Sequence, residues 1–297
     1  MNKELEILKL ADYAEKIEYT EASCYLIINK KLKEHQCMFG FVNLPEDFAT
    51  VRKLFNKVEQ RAKELGYDEI IGPMNYDTWM SYRWALNDYG VRYFPDCENP
   101  RYYVDYIKKL GYKELYTYRS AHVKIDNKLY WLGKIISVKK KLEGFKFEFV
   151  DGEAAYSKVK EIFEISTDAF CEAYLYSKIP FKYFERIYLE WIKKIDNVAV
   201  YMVYKDGEPI AFEMGYLNPY NKKEFITKTI AVKKKYQGRK LYVALLYLGC
   251  KYVKSLGLDE VIFHFQCEQK SSFKRFDGDI ESREKRYAMF VKELNEV

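Results

Sequence analysis

Two stretches of the chain gather side chains able to do chemistry. The first is Val232-Lys233-Lys234-Lys235-Tyr236-Gln237-Gly238-Arg239-Lys240-Leu241. Its lysines and arginine surround one glycine, between a β-rich run and an apolar helical run. A helix N-terminus offers unpaired N–H groups and a partial positive charge. Such a turn suits a pyrophosphate and a further phosphate; the competing reading is a solvated lysine face. The second stretch is Asn75 to Arg83, which follows Gly72-Pro73 and brings Asp77, Trp79, Tyr82 and Arg83 close in sequence. A polar, aromatic loop at the C-terminal end of a strand is a common place for a binding site. Arg83 would hold a carboxylate or phosphate there with paired hydrogen bonds. The same loop reads equally as packed interdomain structure, with Trp79 buried and Arg83 in a salt bridge. The six cysteines and three histidines are scattered and form no CxxC. Their spacing supports neither a structural zinc nor a disulfide framework.

Both stretches belong to a repeat. Lys63 to Ile71 and Lys254 to Ile262 agree at six of nine positions at an offset of 191. Each segment closes an amphipathic helix and opens a buried strand. The first helix runs from about Glu46 to Leu65, with Val51, Leu54, Phe55, Val58 and Ala62 on one face. The second runs from about Gly238 to Leu256, with Leu241, Leu245, Leu248 and Tyr252 in its stripe. Gly66 and Gly257 follow them as left-handed caps. Before them lie strands at Met38 to Val42 and Phe225 to Val232. The offset aligns Phe39 with Ile230 and Phe41 with Val232. Each copy is then strand–helix–strand, the helix crossing between neighbouring strands of one sheet. In the first copy the turn before the helix reads Val42-Asn43-Leu44-Pro45-Glu46-Asp47-Phe48. Its carboxylates complement the helix dipole and repel phosphate, so a phosphorylated cofactor belongs to the second copy.

The rest of the chain is consistent with two α/β (α+β) domains, each a mixed twisted sheet flanked by helices, at 1–126 and 127–297. Further strands are expected at Cys24 to Asn29, Tyr116 to Ile125, Phe145 to Val150, Val198 to Tyr204, Pro209 to Tyr216, Glu260 to Phe265 and Lys285 to Val291. Asp206-Gly207 marks a hairpin turn. Helices are expected at Arg101 to Leu110, Trp131 to Lys141, Glu153 to Phe170 and Phe181 to Ile195. The stretch Phe94 to Cys97 shows no period and reads as loop. The length, 297 residues, fits about two domains. With 48% hydrophobic and 32% charged residues the chain is neither disordered nor collagen-like. Fifty basic against 44 acidic residues give a net charge of +6, thin for a non-specific nucleic-acid binder. No apolar run reaches the ~20 residues of a membrane-spanning helix, and the N-terminus has no secretory pattern. A cytoplasmic protein with no membrane partner is expected. The 29 tyrosines must be partly exposed or line a cleft, since each carries a polar tip.

The strand ending at Val232, followed by Tyr236-Gln237-Gly238-Arg239 and an Ala244-Leu245-Leu246 helix, resembles the acyl-CoA-binding motif of the GNAT N-acetyltransferases. The order of elements from about 145 to 291 is similar to that fold. Phe225 to Val232 and Arg286 to Phe290 resemble a group of tandem GNAT-like proteins. So do Gly72 to Arg83, which is similar to that group's GPxN–TW–YR segment, and Asn99 to Tyr103 with Leu110-Gly111-Tyr112. The likeness covers roughly 36–297. It implies acetyl-CoA or another acyl-CoA as co-substrate, no metal, and a degenerate N-terminal copy. It places the cofactor on Ile230, Ala231, Val232, Gln237, Gly238, Arg239, Lys240, Leu241 and Tyr242. Lys240 and Tyr242 stand where the family has small residues, which let the backbone approach the pyrophosphate.

The resemblance also implies the chemistry. A neutral amine attacks a thioester whose carbonyl is polarised by a backbone N–H from Ile230-Ala231-Val232. A base removes the amine proton, and Glu213 or Glu224 would serve; surface charge on alternating strand positions is the other reading of both. No tyrosine lies between Val261 and Lys285, so the nearest downstream candidate for an acid is Tyr287, with packing as the alternative. His264 would face the cleft between diverging strands or serve as a structural histidine. Ser271 and Ser272 would flank the pantetheine arm or cap a short helix. Asn75, Asp77, Trp79, Tyr82, Arg83 and His264 are the substrate candidates, for a small amine or an amino acid. Two other functions compete: an aminoacyl-tRNA-dependent transferase of related fold, the only case involving nucleic acid, and a non-catalytic ligand sensor. A homodimer is left open.

Overall fold

A computed structural model describes residues 3–32, 36–96, 98–125, 128–195, 197–269 and 284–294. Cys97, Ser271 and Ser272 lie outside them. The first half contains β1 (Tyr13–Tyr19), β2 (Ala22–Ile28), β3 (Cys37–Asn43), α1 (Phe48–Glu64), β4 (Glu69–Gly72), β5 (Trp84–Ala85), α2 (Arg101–Lys109) and β6 (Lys113–Lys124). Helix α3 (Lys128–Leu142) leads into the second half. There follow β7 (Phe145–Asp151), α4 (Val159–Ala169), α5 (Phe181–Ile192), β8 (Ala199–Lys205), β9 (Glu208–Asn218), β10 (Asn221–Val232), α6 (Leu241–Ser255), β11 (Glu260–Cys267) and β12 (Glu284–Glu293). No helix among the described residues is long and apolar enough to cross a membrane.

The repeat read from the sequence is present in space. Strands β3 and β4 pair in parallel across α1, and β10 and β11 pair in parallel across α6. The alignment within it needs a correction. Met38 pairs with Ile71, and Ile226 pairs with Ile262. Ile71 and Ile262 differ by 191, but Met38 and Ile226 differ by only 188. Phe39 therefore corresponds to Thr227, not Ile230. The main cause is the turn between strand and helix, four residues (44–47) in the first copy and eight (233–240) in the second; the β10 bulge adds one residue and a helix shorter by two removes two.

All twelve strands form one sheet in the order β1-β2-β3-β4-β12-β6-β11-β10-β9-β8-β7, with β5 also on β12. The last strand of the chain, β12, lies against β4 of the first copy. The last strand of the first half, β6, lies against β11 of the second. Each crossover unit would otherwise end on an open edge with unpaired N–H and C=O groups. The exchange of β6 and β12 fills both edges and makes the halves one sheet.

Helices α4 and α5 cover one face of the second half. Phe184, Tyr188 and Ile162 from them pack with Phe212, Met214 and Tyr216 of β9, and the same core includes Met38, Ile71 and Met74 of the first half. Helix α6 covers the opposite face. Side chains alternate along a strand, so Glu213 points to α6, where its carboxylate lies against Gly249; a Cβ on Gly249 would come within 2.1 Å of it.

Some elements depart from the sequence reading; β5 and a 3₁₀ segment at Lys3–Leu10 have no expected counterpart. The stretch expected as one helix from Glu153 is a 3₁₀ segment, Gly152–Lys158, before α4, because the apolar period of Val159, Ile162 and Ile165 begins only there. Strand β1 has no expected counterpart, since only Ile17 of its seven residues is buried. At Asp206-Gly207 both φ angles are positive, 53° and 82°, as a tight hairpin of primed type requires.

Candidate active site

Pairing between β10 and β11 ends at Thr227 with Phe263. Beyond that pair both strands turn away. On β10 the register against β9 shifts at Lys228, a β-bulge. On β11 Phe265 takes φ 56° and the register against β6 shifts. The backbone of β10 past the bulge therefore faces an opening. Lys233 N–H donates to Ile210 O across β9 at 2.8 Å. Alternate residues of an antiparallel strand face the same neighbour, so Ala231 also faces β9. The N–H groups of Ile230 and Val232 face the split.

The split opens on the α4–α5 side into a cavity of about 390 Å³, continuous with an outer lobe of about 250 Å³. Trp79, Tyr82, Arg83, Trp191, Lys228 and Phe265 line both parts. The inner end reaches Phe170 and Tyr174, just past α4. The basic turn is moored to the same place, Lys234 N–H donating to Asp168 at 2.6 Å. Helix α6 begins with Lys240 in the left-handed conformation (φ 62°, ψ 15°) and has no side-chain cap. Its first N–H groups are available to an anion. Lys233 is bonded to Glu208 and Lys234 to Glu172. Among the described residues, Lys235, Arg239 and Lys240 have no carboxylate partner.

Residues 159–274 match the acetyltransferase (GNAT) family. The second half of the chain belongs to that family. The chain superposes over 93% of its length on a tandem GNAT protein from the clavulanic acid biosynthesis pathway, covering 80% of it, at TM-score 0.52 and 8% identity. L-PGS from Bacillus licheniformis matches over 99% of this chain and 87% of its own, at TM-score 0.50 and 12% identity. A GCN5-related N-acetyltransferase from Kribbella flavida matches over 92% of this chain and 56% of its own, at TM-score 0.51 and 9% identity. At such identities the likeness shows the fold, a pair of GNAT-like halves. No curated protein matches.

The GNAT half places the expected residues unevenly. In the turn, Gln237 folds back to donate to Val232 O at 3.0 Å, Gly238 takes φ 76°, and Arg239 is exposed near the Tyr236 ring. Leu241 is buried in the core under α6. Tyr242 also turns inward, packing beside Leu246 and Val253, so its bulk is not at the mouth of the turn. Lys240 holds the backbone in a conformation that glycine takes freely. The path of the loop survives where its small residue does not.

Neither glutamate reaches the cavity. Glu213 is buried on the α6 face, its pKa raised by burial to about 8. Glu224 sits four residues before the bulge and accepts from Asn218 at 2.8 Å. Asn75 and Asp77 are also turned away. Asn75 Oδ1 accepts from Phe41 N–H at 2.7 Å. Asp77 accepts from Ser177 Oγ at 2.6 Å and Trp79 N–H at 2.9 Å, which docks the loop on the segment between α4 and α5. Burial raises its pKa to about 7. Trp79, Tyr82, Arg83 and His264 do line the cavity. The loop is thus partly interdomain packing and partly cavity wall, and Arg83 forms no ion pair among the described residues.

His264 is one end of a buried chain. Its Nδ1 lies 2.8 Å from Ser120 Oγ, Ser120 donates to Tyr287 Oη at 3.2 Å, and Tyr287 donates to Asp96 at 3.1 Å. Lys285 Nζ also donates to Asp96, at 2.6 Å. Because both hydroxyls give their protons toward the carboxylate, Ser120 Oγ accepts from His264 Nδ1–H, which leaves the lone pair on Nε2. Burial, with Lys228, Arg83 and Lys285 nearby, holds the His264 pKa well below the ordinary histidine value, so the ring is neutral. Tyr287 is fully buried and acts on His264 through Ser120.

Among the residues that escaped the sequence reading are Lys228 on the cavity wall and Ser120 behind it. Lys228 stands in the bulge with Nζ 4.7 Å from the Trp191 ring centre; burial and the Arg83 charge lower its pKa to about 8. Its signal was a lone charge inside the Phe225–Val232 run. Ser120 gave none, since its partner His264 is 144 positions away.

Proposed function

We propose that the protein is an acyl-CoA-dependent N-acyltransferase, with acetyl-CoA the first donor to test. The observation that carries this reading is the open split. Two strand amides facing the split adjoin a cavity, and the same strand leads through the basic turn to an uncapped helix start. A bound acyl-CoA would supply the thioester. Lys235, Arg239, Lys240 and the first N–H groups of α6 would hold its phosphates. Ile230 and Val232 N–H would donate to the carbonyl oxygen, where negative charge develops. The acceptor amine, lodged against Trp79, Tyr82 and Trp191, forms the new C–N bond as the C–S bond breaks and the thiolate leaves. His264 Nε2, buried at the cavity wall without a hydrogen-bond partner, would take the amine proton through one water. Ser120, Tyr287 and Asp96 hold the ring in that tautomer.

An aminoacyl-tRNA donor would need a phosphate track well beyond this turn. Two lysines of the turn are instead committed to Glu208 and Glu172, which favours the smaller donor. Release of free thiol from acetyl-CoA, measured with a panel of amines, tests the reading. Amine-dependent thiol release that Lys240→Glu abolishes is expected. Thiol release indifferent to every amine, or to Lys240→Glu, would contradict it.

A further inference from the structure

We propose that the acceptor is an amine that also carries a carboxylate, and that Arg83 and Lys228 receive that carboxylate. This rests on the acyltransferase reading of the same cavity. The argument starts from Arg83, 5% exposed. Its guanidinium lies among three rings, 3.6 Å from the centre of Tyr82, 3.7 Å from Phe265 and 4.2 Å from Tyr118. Nε donates to Tyr82 O at 2.9 Å. Nη1 is buried and has no hydrogen-bond partner. A buried cation is ordinarily paired, and this one is not. Its backbone φ of 83° is costly for a bulky residue, a conformation that the Arg83 N–H to Pro73 O bond helps hold.

Lys228 is the second cation on the cavity wall. It also has no carboxylate partner among the described residues, and its Nζ lies over the Trp191 ring. Two cations in one enclosed space repel, and the Arg83 charge adds to burial, the larger cause, in lowering the Lys228 pKa. Of the carboxylates nearby, Asp96 holds Lys285 and Tyr287 through one oxygen and Asp77 holds Ser177; Glu190, on the outer lobe, forms no ion pair with Arg83 or Lys228. One carboxylate between Arg83 and Lys228 would meet the unpartnered Nη1 and relieve the repulsion. It would also offset charges that weaken His264 as a base. Lys228 stands two residues, about 7 Å of strand, before the Ile230 amide. An amine and carboxylate on one small molecule fit that spacing, and the aromatic walls favour an apolar side chain.

The test uses the intact protein without acyl-CoA, and a parallel titration with acetyl-CoA. The twenty protein amino acids are screened at about 10 mM for a rise in melting temperature. The best is then titrated calorimetrically beside its amide and its decarboxylated amine. The carboxylate form should bind about tenfold or more tightly than either, and Lys228→Met and Arg83→Gln should each erase that preference. Should Arg83→Gln fail to fold, Lys228→Met decides alone. Four results would overturn the proposal: no amino acid shifts the melting temperature; amide and acid bind alike; phosphoethanolamine binds more tightly than any carboxylate; Lys228→Met keeps the preference. Binding of an amino acid with no binding of acetyl-CoA would retain the carboxylate site and remove the acyltransferase reading.

Discussion

The two strand–helix–strand units share a plan and differ in what fills the split beyond their last strand pair. In the first copy, Met74 N–H donates to Phe39 O at 2.8 Å and Asn75 Oδ1 accepts from Phe41 N–H. The chain following β4 thus lies in the split, and an amide carbonyl sits on a strand N–H. At the start of α1, Asp47 accepts from the N–H groups of Ala49 and Thr50 at 3.1 and 3.0 Å. The first copy carries, in its own side chains, a carbonyl and an anion at the places where the second offers bare amides. Gly40, opposite Tyr25 on β2, corresponds to Thr229, opposite Met214 on β9, and the bulged Lys228 has no counterpart in the first copy. By the same register Cys24, next on β2, corresponds to Glu213 on β9. A closed split is a structural element, and an open one is where we propose the site.

The sharpest break of this comparison is at Gly40. A Cβ there would lie 2.2 Å from Met74 O. Gly40→Ala should cost about 3 kcal/mol or more in a denaturant titration; tolerance would mean that the first split is not closed as described. Next comes Glu213. Its folded pKa of about 8 lies above the ordinary value of 4.5. Between those values the folded state keeps a proton that the unfolded state has lost. Wild-type stability should therefore fall as pH rises from about 4.5 to 8, by on the order of 4 kcal/mol. Glu213→Gln should flatten that slope and be the more stable protein at pH 9, read by melting temperature across pH. Asn75→Ala should cost about 1–3 kcal/mol by leaving the Phe41 N–H without its acceptor. The smallest effect is expected for Asp47→Ala, a drop of a few degrees in melting temperature from the lost cap, with no change in ligand binding.

Much of this was legible in the sequence because it is written locally. The stripe of Val51, Leu54, Phe55 and Val58, the glycines after each helix and the contrast of Asp47 with Lys240 each lie within a few residues. Four features are non-local. The offset of 191 is true at the helix ends and fails on the strands, because a longer turn intervenes. The exchange of β6 and β12 depends on which edges stay open, which no segment records alone. Glu213 and Lys228 lie on strands where alternation and a bulge decide the face, and the bulge is visible only against β9. The His264 chain assembles Ser120, Tyr287 and Asp96 from three distant segments.

The central claim is that one copy is a site and the other is closed by its own chain. Calorimetric titration with acetyl-CoA, run on wild type, Lys240→Glu and Asp47→Ala, tests it most directly. A single saturable site per chain, lost in Lys240→Glu and retained in Asp47→Ala, is predicted. Two sites per chain, none, or a site that Asp47→Ala removes would contradict it.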